Sequence, residues 1–108
     1  MMAEDASAAT HAAAAALMAR VPEAAYRAAL SAIVAFDRRA QLADIRVPTL
    51  ALAGQYDKNA APSVMEKMAA RIPGCEYLCL PDAGHLANME DPLAFDAAVL
   101  DFLNRHFA

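Results

Sequence analysis

Asp57 and His85 stand 28 positions apart, and each lies just beyond a short apolar run. A His that follows one strand and a carboxylate that follows an earlier one can form an acid–base pair. The imidazole takes a proton, and the carboxylate fixes the ring tautomer and stabilises the imidazolium. A second carboxylate, Asp82, lies three residues before His85 in Pro81-Asp82-Ala83-Gly84-His85-Leu86, where a turn-forming role suits it better than that of the acid. A nucleophile of the same quality is absent from the 108 residues. No Gly-x-Ser-x-Gly turn occurs, and no Cys or Asp version of it. The serines are Ser7, Ser31 and Ser63. Ser63 is read as a helix-start residue, because it lacks the strained strand-to-helix turn that exposes a nucleophile.

The remaining chemistry-bearing residues read as structural. In a strand, Cys75 and Cys79 share a face about 13 Å apart at ~3.3 Å per residue, too far for a disulfide. They also lack a second pair for a metal site, so they are read as small buried apolar residues. His11 and His106 are read as surface helix residues, and Met65, Met68 and Met89 as core or pocket lining. The Arg38-Arg39 pair is read as a solvated helix end, although it would also suit a carboxylate-bearing substrate. No cofactor and no metal are expected.

Elements must bring Asp57 and His85 together. Thr49-Leu50-Ala51-Leu52-Ala53 lies between Pro48 and Gly54, and Glu76-Tyr77-Leu78-Cys79-Leu80 precedes Pro81. Continuous apolar runs of this length read as strands buried on both faces of a parallel sheet. Between them Pro62 opens a helix with an apolar stripe of Val64, Met65, Met68, Ala69 and Ile72, stopped by Pro73-Gly74. Residues 86–91 read as a short irregular link. Pro92 then begins a last helix, with Asp91 as its cap and Phe95, Val99, Phe102, Leu103 and His106 on one stripe. This is a βαβα unit, whose parallel strands imply a right-handed crossover. Both candidate residues fall at the C-terminal strand edge, where open α/β sheets bind ligands.

Upstream, residues 1–10 read as frayed. Alanine dominates from His11 to Met18 and favours helix. Val21-Pro22 breaks that run, and residues 23–36 follow as an amphipathic helix. Alanine richness falls after Pro48. Two parts are expected: an Ala-rich helical segment over 1–40 and the βαβα unit over 41–108.

Length allows one domain. The 59% hydrophobic content is inflated by alanine and includes no Trp, so a thin core is expected. A net charge of −4 with interspersed signs argues against a nucleic-acid partner. No run is long enough to span a membrane. The acidic Met1-Met2-Ala3-Glu4-Asp5 start, without a basic segment, predicts a cytoplasmic protein.

Residues 45–103 resemble the C-terminal portion of an α/β-hydrolase. The resemblance is carried by Val47-Pro48-Thr49-Leu50-Ala51-Leu52-Ala53-Gly54-Gln55-Tyr56-Asp57, by Ile72-Pro73-Gly74-Cys75, and by Ala83-Gly84-His85-Leu86-Ala87-Asn88-Met89-Glu90-Asp91-Pro92. Residues 32–39 resemble the end of a cap segment, similar to 3-oxoadipate enol-lactonases and related ester hydrolases. The resemblance implies a partial α/β-hydrolase fold: two parallel strands preceded by one or two cap-derived helices. It implies Asp57 as triad acid, His85 as base, and a small ester or lactone as substrate. In that family the nucleophile comes first in the chain, so it is expected outside these residues. A truncated product, a cut-down version or one subunit of a split enzyme fits, with a complementary chain supplying the nucleophile and the isolated chain nearly inert. The alternative expectation is an inactive remnant that self-associates or binds a partner.

Overall fold

Pro48 precedes strand β1 (Leu50–Gly54), which ends on Gly54 itself, and Gly74 and Pro81 bracket β2 (Glu76–Leu80). The computed structural model describes residues 7–107. The two strands pair in parallel, with Leu50 opposite Glu76 and Gly54 opposite Leu80. The expected strand over 49–53 is therefore displaced by one residue. Gly54 still carries the ladder, while Thr49 contributes only its carbonyl, which accepts from the Glu76 N–H at 3.0 Å.

Helix α1 (Ala8–Ala19) begins where a frayed segment was expected. Ser7 caps it, its hydroxyl oxygen accepting from the Thr10 N–H at 3.1 Å. That cap fills one of the orphan donors of a first helical turn. Residues 1–6, including the acidic start, lie outside the described residues. Helix α2 (Glu23–Ala35) follows Pro22 and buries no residue, so its amphipathic stripe faces solvent. The stretch from Asp37 onward is not plain loop. A 3-10 helix spans Arg39–Asp44 and packs on the next α-helix, α3 (Pro62–Arg71).

Helix α3 crosses from β1 to β2. Ala69 and Ile72 at its C-terminal end are buried, whereas Val64 is 59% exposed and leaves the expected core stripe. Only the inner side of α3 meets the sheet; Val64 faces the 3-10 helix side instead. After the helix, Gly74 takes φ +68° in the Ile72-Pro73-Gly74-Cys75 turn, closed by the Cys75 N–H donating to the Ile72 carbonyl at 3.1 Å, a left-handed position that glycine fills without a Cβ penalty. The expected irregular link over 86–91 contains a short helix, α4 (Ala87–Glu90), before α5 (Pro92–Phe107). Four residues are too few to show periodicity. Tertiary contacts set this turn, because Ala87 packs with Leu80 and Ala83 in the buried cluster. Asp91 caps α5 as expected, accepting from the Ala94 N–H at 3.3 Å. On α5 only Phe102 is buried, and Leu103 is 43% exposed. His106 stays beside Phe102, ring centroids 4.7 Å apart, while its Nε2–H donates to the Glu76 carboxylate at 2.7 Å.

The core is thin for a chemical reason. Its buried residues are mostly alanines (Ala14, Ala51, Ala53, Ala69, Ala83, Ala87), joined by Ile72, Leu80 and Phe102. Alanine removes little area from water, and hydrophobic stabilisation scales with that area.

Candidate active site

Gly54 makes the close approach on which the site depends. A Cβ there would meet the Gly84 carbonyl oxygen and would lie 2.7 Å from that of Ala83. Without it, the end of β1 lies against the 83–84 turn. The Tyr56 N–H then donates to the Ala83 carbonyl at 3.0 Å, and the Gln55 N–H to that of Leu80 at 2.9 Å. Two loops from neighbouring strand ends are thereby stitched together, one carrying Asp57 and the other His85.

The structure brings the two together. His85 Nδ1 lies 2.9 Å from Asp57 Oδ2. Asp57 is 7% exposed and is the one buried charged residue among those described. Its other oxygen, Oδ1, accepts from the backbone N–H groups of Asn59 (2.8 Å) and Ala60 (2.9 Å). This turn holds the carboxylate by Oδ1 and leaves Oδ2 for the imidazole. Burial by itself would raise the Asp57 carboxyl. The Ala60 N–H, His85 and the Asn59 N–H outweigh it and hold the group below the usual carboxylate range.

An ionised Asp57 can only accept, so Nδ1 of His85 carries the proton in the neutral ring. Nε2 then presents its lone pair, and no described residue hydrogen-bonds to it. The His85 side chain is 38% exposed, open to an incoming proton donor. A carboxylate that orients a half-exposed imidazole is a general-base arrangement. Glu90 secures the loop from the far side, its Oε2 accepting from the Leu86 N–H at 3.0 Å.

The other candidates fall elsewhere. Asp82 is exposed in the turn, and His85 pairs with Asp57 instead. Ser63 sits in the first turn of α3 and makes no cap hydrogen bond. Ser7 is the α1 cap, and Ser31 and His11 are exposed on helices. Cys75 and Cys79 are both free and half-buried. The Cys79 thiol donates to Gln55 Oε1 at 3.4 Å. Among the described residues no three His, Cys, Asp or Glu side chains cluster to hold a metal ion. No described helix is long and apolar enough to cross a membrane. The sequence reading missed the backbone donors of Asn59 and Ala60, the Glu90 clamp and the Gly54 approach. The Asp57-x-Asn59 spacing is an Asx-turn signal that could have revealed the first of these.

A family model described as the alpha/beta hydrolase fold matches residues 17–92. The chain belongs to the α/β-hydrolase fold family. RutD of Pseudomonas savastanoi pv. phaseolicola is 36% identical over 75 residues, covering 69% of this chain and 29% of that protein. The enol-lactonase of Burkholderia xenovorans LB400 superposes with a TM-score of 0.62 at 38% identity, over 65% of this chain and 26% of that one. A hydrolase from Pseudomonas aeruginosa PA01 gives 0.66 at 40% identity, over 82% of this chain and 38% of that one. The chain thus spans well under half the length of these relatives. As an α/β-hydrolase sheet it is partial, with two parallel strands and their helices.

Proposed function

We propose that this chain supplies the acid and base of an ester- or lactone-hydrolysing catalytic triad, Asp57 and His85. The nucleophile would come from residues beyond these 108, in a continuation or in a second chain. The observation that carries the reading is the 2.9 Å Nδ1–Oδ2 contact, with Asp57 Oδ1 already tied to two backbone donors. The enol-lactonase likeness supports the substrate class.

The chemistry follows from the free Nε2. His85 takes the proton of a Ser hydroxyl as its oxygen attacks the substrate carbonyl. The ester C–O bond breaks, and the leaving alkoxide takes that proton from the imidazolium. A water then attacks the acyl group, giving one proton to His85. The acyl–Ser bond breaks, the Ser oxygen recovers the proton, and a carboxylic acid is released. Without a nucleophile His85 can only assist water, an effect of about 10²–10⁴-fold, far below ordinary enzymatic acceleration.

The test is capture from native lysate of a chain bearing Gly-x-Ser-x-Gly, followed by a p-nitrophenyl ester assay of the complex. Activity that falls by several orders of magnitude on His85→Ala supports the reading. Activity unchanged by that substitution overturns it.

A second reading has its own observation. The two-stranded sheet pairs only with itself, so each strand keeps one unpaired edge among the described residues. Open edges invite pairing with another chain. An inactive, self-associating module is expected to give the background ester rate with or without His85.

A further inference from the structure

We propose that a groove between the end of α2 and the outer face of α3 binds a small amphiphilic organic anion, an apolar body with one acidic head group. The groove has a volume of about 640 Å³, within the range of small-molecule sites. Neither Asp57 nor His85 lines it, so the proposal stands apart from the reading of that pair.

Its walls combine two chemistries. Val34, Phe36, Leu42, Val64 and Met68 form the apolar part. Val34, Phe36 and Val64 are 86, 68 and 59% exposed, so ligand burial is open to them. Val64, Lys67, Met68 and Arg71 recur at the spacing of one helix face, which places cations and apolar groups along one wall.

The charge is one-sided. Arg38, Arg39, Lys67 and Arg71 line the groove against a single acid, Asp37. Asp37 is taken up by Arg39, whose Nε and Nη2 donate to its two oxygens at 3.0 and 2.8 Å. That leaves the Arg38 and Lys67 side chains with no ion-pair or hydrogen-bond partner among the described residues, while Arg71 makes neither contact but lies near enough for its charge to join Arg39 in lowering the Asp37 carboxyl. Two uncommitted cations, with Arg71 only loosely engaged by Asp37, stand around an apolar hollow in a chain of net charge −4 and select an anion with an apolar body. An apolar neutral molecule would leave the cations unused. A small hydrophilic anion would leave the hollow unfilled, and each methylene buried is worth about fourfold in affinity.

Titration of the full chain with octanoate, octan-1-ol and acetate, followed by amide chemical shifts, tests this. Octanoate should bind saturably, with shifts at residues 34–42 and 64–71, at least about tenfold more tightly than either of the others. High salt should weaken octanoate and spare octanol. Lys67→Gln and Arg38→Gln, on two separate walls, should each weaken octanoate several-fold and leave octanol unchanged. Octanol binding as tightly as octanoate, shifts centred outside the groove, or indifference of octanoate to both substitutions would overturn the proposal.

Discussion

Asp57 carries two loads, and one substitution separates them. Asparagine keeps its shape, and its Oδ1 can still accept from the Asn59 and Ala60 N–H groups. Facing His85, however, the amide presents an N–H donor, so the ring must carry its proton on Nε2. Nitrogen-detected NMR of the neutral imidazole should show Nδ1–H in the parent and Nε2–H in Asp57→Asn. The same tautomer in both would remove the orienting role. Stability offers a second readout. The fold holds the Asp57 carboxyl below its ordinary value of 3.8, so the ionised form favours the folded state. That contribution is complete above about pH 4 and is lost as pH falls through the lowered folded value. Urea midpoints should therefore put Asp57→Asn below the parent near neutrality, by about 1–3 kcal/mol for a charged hydrogen bond. The gap should close in acid, and a pH-independent gap would contradict it. The pair itself was legible in the sequence, since residue type and strand-end position suffice to nominate it. The Asp82 alternative could be settled only by the fold, because three residues of separation say nothing about which way a turn aims its carboxylate.

Loops at this site are positioned by backbone fit, which few side chains announce. Gly54→Ala puts a methyl against two carbonyl groups, and backbone cannot rotate aside as a side chain end can. Overpacking of this kind costs about 1–3 kcal/mol or more. The expected result is a lowered urea midpoint together with a lengthened His85–Asp57 contact, seen as a weaker tautomer preference; an unchanged midpoint would mean the close approach is not obligatory. At the start of α5, Asp91→Ala removes an acceptor from the Ala94 N–H. Caps of this type are worth about 1 kcal/mol, and a melting temperature within error of the parent would argue against the cap. Proline and glycine made the long elements readable, as Pro62 and Pro92 start helices and Gly74 sits in the turn between α3 and β2. The 3-10 helix of Arg39–Asp44 and the four-residue α4 were not readable, because each is shorter than the pattern needed to detect it and is set by what it packs against.

The chain leaves more surface exposed than a compact chain of its length does. The accessible area is 7607 Å², where a compact monomer of this mass exposes about 5,800 Å². The radius of gyration of 15.5 Å exceeds the about 13 Å of a compact chain of this length. Among the described residues no large side chain falls below 2% exposure. The excess lies in recognisable places: the stripe of α2 with Tyr26, Leu30 and Ile33 uncovered, and two open strand edges. Alanine richness foretold the thin core, and helical periodicity foretold the α2 stripe. What covers that stripe could not be read from either, since amphipathicity specifies a face and not its partner. We propose that exposed apolar area on this scale serves as an interaction surface, to which unpaired edges would add directional hydrogen bonds. The chain alone should therefore unfold in urea with a slope below that of a compact domain of equal length, because the slope scales with area newly exposed. It should also associate. Light scattering across a concentration series should give a mass that rises above the monomer, and Ile33→Asp, which charges the α2 stripe without touching the acid–base pair, should shift the series back toward monomer. A monomer at every concentration with a full-sized urea slope would mean that the uncovered faces close on themselves in solution.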